Sequence, residues 1–147
     1  MIGICGFGVI GQAVYSYFSN RVPKPSIYDK YKEIGSLAYL IYNCDVIFLC
    51  LPTLGYGQDS SEFEKVLEKL IEDNYSGLVV IKSTVLYSNI KPYLTKLNIV
   101  INPEFLSQHD AIKDMKNRKT TILGGDVDNL DKVSRIYLNV NSTLDNI

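Results

Sequence analysis

A chain of 147 residues, 46% of them hydrophobic, has the length of one domain and enough apolar side chains for a sizeable core. Fifteen basic residues against sixteen acidic ones leave a net charge of −1, so there is no basic excess to draw nucleic acid or an anionic membrane. Its apolar runs fall far short of the ~20 residues of a membrane span, and no basic, apolar signal segment opens the chain. A cytoplasmic location is therefore expected.

The elements follow in chain order. Ile2–Cys5 reads as a short apolar strand, and Val14, Tyr17 and Phe18 form a helical stripe soon after it. Ser26–Tyr28 is a second strand candidate, residues 35–42 carry a shorter helical pattern, and residues 46–51 are a third apolar strand. Phe63, Val66, Leu67, Leu70 and Ile71 fall on one helical face, with Ser61 and Glu64 spaced as a capping box at its start. Leu78–Ile81 reads as a strand. Ile90, Tyr93, Leu94 and Leu97 repeat the helical spacing, with Pro92 placed in the first turn after Ser88. Asn98–Ile101 and residues 120–123 complete six strands, and Leu130, Val133 and Tyr137 mark a last helix opening near Asp126 or Asp128. Strands that are apolar throughout belong in a parallel sheet covered on both faces. The pattern predicts a single α/β domain over residues 1–147, a doubly wound parallel sheet with the first strand in its middle.

Cys5, Cys44 and Cys50 are odd in number and contain no CxxC pair. They are expected to be buried, reduced thiols that act as small hydrophobes, with no disulfide framework and no metal site.

The segment Gly6, Phe7, Gly8, Val9, Ile10, Gly11 has the spacing GxGxxG between a strand and a helix. There the first glycine permits a tight turn, the second lets the backbone approach a pyrophosphate, and the third lets helix and strand pack closely. Amides at the helix start then face the phosphates. The second strand ends at Asp29, at the offset of about 20 residues where a dinucleotide-binding Rossmann fold carries an acid. A carboxylate there accepts hydrogen bonds from the adenosine ribose hydroxyls and repels a phosphate on that ribose. NAD is favoured over NADP, and Lys30 and Lys32 soften the preference.

Further along stand CDVIFLCLPT from Cys44 to Thr53, IKSTV from Ile81 to Val85, and INPEFLSQHDAIKDM from Ile101 to Met115, followed by TTILGG. Read in this order they resemble the N-terminal domain of the UDP-glucose/GDP-mannose dehydrogenase family. NPEFL after KSTV is more specific than the glycines. Independently of the resemblance, Thr53, Ser83, Thr84 and Glu104 all follow C-terminal ends of strands, where open α/β sheets bind ligands, and are expected to converge on one crevice.

The resemblance implies a role for each. Leu51, Pro52 and Thr53 would border the adenosine and nicotinamide halves of NAD, and Ser83 and Thr84 would contact it further along. Thr53 and Glu104 would position a catalytic water, Glu104 would assist proton transfer, and Phe105 and Leu106 would offer backbone groups to a nucleotide sugar. In that family a primary alcohol on the sugar is oxidised twice to a carboxylate, and a cysteine of a later domain holds the intermediate as a thioester. The family's central helix and C-terminal UDP-sugar domain have no counterpart in this sequence, so this chain alone is expected not to turn over. A partner is expected, either a second copy or a complementary catalytic chain.

Two departures from the family stand out. The stretch between Asp29 and Val46 is short, and Gln108 stands where the family pattern has a second glutamate. His109, the only histidine, reads as a solvated or capping residue. The competing function is an inactive module, derived from this family, that binds NAD or a partner. A hydroxyacid dehydrogenase with a similar first domain would leave NPEFL unexplained.

Overall fold

The computed structural model describes residues 1–20, 23–53, 60–107 and 109–139. Six strands form one sheet: β1 (Ile2–Cys5), β2 (Ser26–Tyr28), β3 (Val46–Leu49), β4 (Leu78–Ile81), β5 (Asn98–Ile101) and β6 (Gly124–Gly125). Their order is β2-β1-β3-β4-β5-β6, parallel except for the last pair. β1, β3 and β4 are buried along their whole length, which explains why their sequences alternate so little.

Side chains of successive strand residues point to opposite faces, and each face is covered by its own helices. On one side Ile4, Phe48, Val80 and Val100 pack against α1 (Val9–Phe18), α5 (Ala111–Asn117) and α6 (Val127–Leu138). On the other, Cys5, Ile47, Leu49 and Ile81 meet α2 (Leu37–Asn43), α3 (Ser61–Glu72) and the short α4 (Tyr87–Ile90). The fold is a doubly wound α/β domain. All three cysteines are buried and unpaired. Among the described residues no helix is long and apolar enough to cross a membrane.

Five expectations need correction. β1 is interior but lies next to the edge of the sheet, flanked by β2 and β3. Residues 29–45 hold only a turn and α2, and a further parallel strand beside β2 would need a second crossover of a dozen or more residues. The last strand is Gly124–Gly125, not residues 120–123, and it is antiparallel, with Val100 opposite Gly125 and Ile101 opposite Gly124. The helix expected after Ser88 is broken into Tyr87–Ile90 and a 3-10 turn over Lys91–Tyr93, because Pro92 has no N–H to continue the α-helical ladder. β3 stops at Leu49, two residues earlier than predicted.

The chain start of α3 is shifted by one residue. Ser60 is its N-cap, and the Ser60 hydroxyl donates to Glu64 Oε1 at 2.5 Å. α6 opens after Asp126, whose side chain accepts from the Asp128 amide, as the sequence suggested.

Candidate functional site

The glycine loop joins β1 to α1 and each glycine has a separate steric reason. Gly6 has φ +93°, and a Cβ on it would lie 2.5 Å from the Cys50 carbonyl oxygen. A Cβ on Gly11 would lie 2.0 Å from the Gly6 carbonyl oxygen, so helix and loop touch there through backbone. Gly8 is different: a Cβ built on it meets no heavy atom within 4 Å. Its lack of a side chain serves nothing inside the fold and leaves open space at the N-cap of α1.

Asp29 follows β2 and organises the turn after it. Asp29 Oδ1 accepts from the amides of Tyr31 at 3.0 Å and Lys32 at 2.9 Å, while Asp29 Oδ2 accepts from the amide of Phe7 in the glycine loop at 2.7 Å. The carboxylate thus ties the end of β2 to the loop after β1. Partial burial raises its pKa, but the three amides, with Lys32 nearby, outweigh that and hold it below its ordinary value. Lys32 Nζ donates to the Phe7 carbonyl at 2.6 Å, and Lys30 reaches across to Glu62 at the start of α3, 3.4 Å away.

Between these parts lies a cavity of about 350 Å³. Gly6, Gly8, Val9 and Ile10 form one wall, Asp29 and Lys30 the second, and Leu51 and Pro52 the third. Phe7 contributes through its amide to Asp29, and Gly11 through packing. The residues expected in the first half of the site therefore come together. Tyr31, Lys32, Glu62 and Val66 line the same cavity. Of these, only Lys32 was placed near the cofactor by the sequence; Val66 was read as part of the α3 core stripe, and α3 reaches this wall from a distant part of the chain.

The second group is arranged differently. Thr53 donates through its hydroxyl to the Thr84 carbonyl at 2.6 Å, joining the ends of β3 and β4. The Ser83 hydroxyl accepts from the Leu51 amide at 2.9 Å and donates to the Leu49 carbonyl at 3.3 Å, so it serves the same junction. Glu104 lines another cavity, of about 200 Å³, together with Phe105, Leu106 and Arg118. Phe105 is 79% exposed, whereas Leu106 packs against the α1 side of the core. His109 is exposed at a groove between α1 and α5. Gln108 lies outside the described residues.

The Glu104 side chain is only 7% exposed, and its Oε1 forms an ion pair with Lys82 and lies 3.5 Å from Arg118 Nη1. Lys82 is fully buried at the end of β4 and donates to Asn102 Oδ1 at 2.9 Å. Burial, and then the Arg118 charge, pull the Lys82 pKa well below its ordinary value. The Arg118 guanidinium stands 4.3 Å and 4.8 Å from the ring centres of Tyr137 and Tyr17. Sequence reading did not single out Lys82 or Arg118. The one available signal was a lysine directly after a four-residue apolar strand, where a charged side chain must be paired if it turns inward.

None of the cysteines is arranged as a nucleophile. Burial pushes the Cys50 thiol up to about 12 and raises Cys5 further.

Comparison with known proteins identifies the family. The family model for the NAD binding domain of the UDP-glucose/GDP-mannose dehydrogenase family matches residues 26–141. UDP-glucose 6-dehydrogenases of Bos taurus and Rattus norvegicus are 31% and 32% identical over 106 residues, covering 58% of this chain. The chain covers 21% of the length of those relatives. Among solved structures, a GDP-mannose dehydrogenase from Pseudomonas aeruginosa has a TM-score of 0.77 at 22% identity, covering 99% of this chain and 44% of that one. A UDP-glucose dehydrogenase from Pyrobaculum islandicum gives 0.73 at 16%, with 95% and 44% covered. An imine reductase from Streptomyces aurantiacus gives 0.72 at 11%, with 99% and 54% covered, a likeness of fold alone. The chain belongs to the UDP-glucose/GDP-mannose dehydrogenase family, of which it represents the NAD-binding domain.

Proposed function

We propose that this chain is the cofactor half of a nucleotide-sugar dehydrogenase that oxidises a primary alcohol of the sugar. The observation that carries the reading is the match of residues 26–141 to the family's NAD-binding domain, together with the open space at Gly8 where the approach of a pyrophosphate would need it. The residues fit the cofactor: Gly8 and the start of α1 would hold the pyrophosphate, Asp29 the adenosine ribose, and Leu51 and Pro52 the apolar flank. Bound NAD supplies a hydride acceptor for the sugar carbon. Thr53 and Glu104 would position water near that carbon, Glu104 would help move the alcohol proton, and Phe105 and Leu106 would present backbone groups to the sugar nucleotide. Ser83 and Thr84 would border the cofactor beyond the adenosine.

The second oxidation in this reading needs a thiolate, which the buried Cys5, Cys44 and Cys50 do not supply. Turnover would then depend on groups in a complementary chain, because a second copy carries the same buried cysteines. Incubation with NAD and UDP-glucose, UDP-N-acetyl sugars or GDP-mannose tests the reading by absorbance. The expected result is no NADH from the chain alone and a measurable rate once a C-terminal domain of the same family is added. Steady NADH production by the chain alone, lost in Glu104→Gln, would overturn the need for a second component.

A further inference from the structure

Four separate elements bring charged or polar groups to one buried point. Lys82 follows β4, Asn102 and Glu104 follow β5, Arg118 follows α5, and Tyr137 belongs to α6. The Tyr137 hydroxyl donates to Asn102 Oδ1 at 2.5 Å, and Asn102 Nδ2 donates to the Ile122 carbonyl at 2.9 Å. Asn102 is thereby fixed, and so is the lysine that donates to it. Arg118 is fixed by the faces of Tyr17 and Tyr137. Side-chain exposures of 0% for Lys82, 10% for Arg118 and 7% for Glu104 leave the three charges little water.

We infer that Lys82 and Arg118 are positioning residues for Glu104, holding its carboxylate by one oxygen from inside the fold. Both side chains approach Oε1, and Glu104 itself lines the cavity beside Phe105. A carboxyl buried to this extent with no cation beside it would take up a proton and lose its value as an acceptor. A cation beside such a carboxyl opposes that uptake. A buried ion pair is often no more stabilising than well-packed apolar residues of similar volume, so stability gives no sufficient reason for this one. Its location does: the C-terminal ends of β4 and β5 are where a doubly wound sheet binds ligands. The role of Glu104 itself rests on the function proposed above.

The test is a titration of the Glu104 side-chain carboxyl in the full chain, followed by carbon NMR. The expected midpoint in the parent lies at or below ~4.3, the ordinary glutamate value, in spite of burial. Arg118→Met and Lys82→Met should each raise proton affinity at least tenfold, about one pH unit, and Arg118→Lys should return it toward the parent. A parent midpoint above the ordinary value, or an unchanged midpoint in folded methionine variants, would overturn the inference. Should both methionine variants fail to fold, the parent and Arg118→Lys titrations still decide it. Calorimetry with NAD keeps the two claims apart. A chain that fails to bind NAD but shows the low midpoint would sink the proposed function and leave the grip on Glu104 intact.

Discussion

At the scale of single residues, Asp29 carries two tasks on one carboxylate. It accepts three backbone N–H groups, two that shape its own turn and one, from Phe7, that holds this turn against the loop after β1, and it lines the cavity proposed for the adenosine ribose. Asp29→Ala should therefore weaken NAD binding at least tenfold and also lower stability, since hydrogen bonds to a charged acceptor are worth about 1.5–3 kcal/mol each. Calorimetry and thermal melting on the same variant separate the two effects. The sign of the pH dependence follows from the lowered pKa. The contribution of Asp29 to stability is complete above the ordinary aspartate value of ~3.9 and is lost only as pH falls through its lower folded value. An Asp29-dependent loss of stability between pH 6 and 5 would contradict this.

At the scale of elements, the parts with strong local signals were legible and those decided by distant partners were not. The β1–loop–α1 unit, α3 and α6 follow from apolar spacing, glycines and caps that lie within a few residues of each other. The halt of β3 at Leu49 was hidden because Cys50 and Leu51 are as apolar as the strand before them, and only the Ser83 hydroxyl draws the Leu51 amide away. α5 was missed because only Ala111 and Met115 anchor it, two positions on seven residues. The antiparallel β6 could not be read because two glycines carry no strand signal, and close approach to β5 crowds only the second of them. A Cβ on Gly125 would lie 3.0 Å from the Ile99 carbonyl oxygen. The junction of α3 and α4 offers a test. Ser60 is bonded both to Glu64 and to the side-chain amide of Asn89, so Ser60→Ala should cost about 1–2 kcal/mol in chemical denaturation. A change below ~0.3 kcal/mol would remove Ser60 from that junction.

At the scale of the whole molecule, Gly6, Gly8, Asp29, Leu51 and Pro52 were legible from the sequence, whereas Tyr31, Glu62 and Val66, which line the same cavity, were not. The chemistry end was readable only as positions: Glu104 was located, but its engagement with Lys82 and Arg118 depends on residues that are 22 and 14 places away. Phe105 and Ile122, exposed by 79% and 52%, flank the cavity beside Glu104. Apolar groups at such a place favour contact with another surface, and we propose that they drive self-association of the isolated chain. Light scattering should then show a mass above the monomer at high concentration, reduced in Phe105→Ser. A monomer at every concentration would reject it. The central claim, that the glycine loop and Asp29 form an NAD site, is tested most directly by calorimetric titration of NAD into the parent and Gly8→Val. Valine at Gly8 has open space, so the fold should persist with an unchanged melting temperature while NAD binding disappears; Gly11→Ala, which meets backbone, should instead lower the melting temperature. Equal NAD affinity in parent and Gly8→Val would contradict the account.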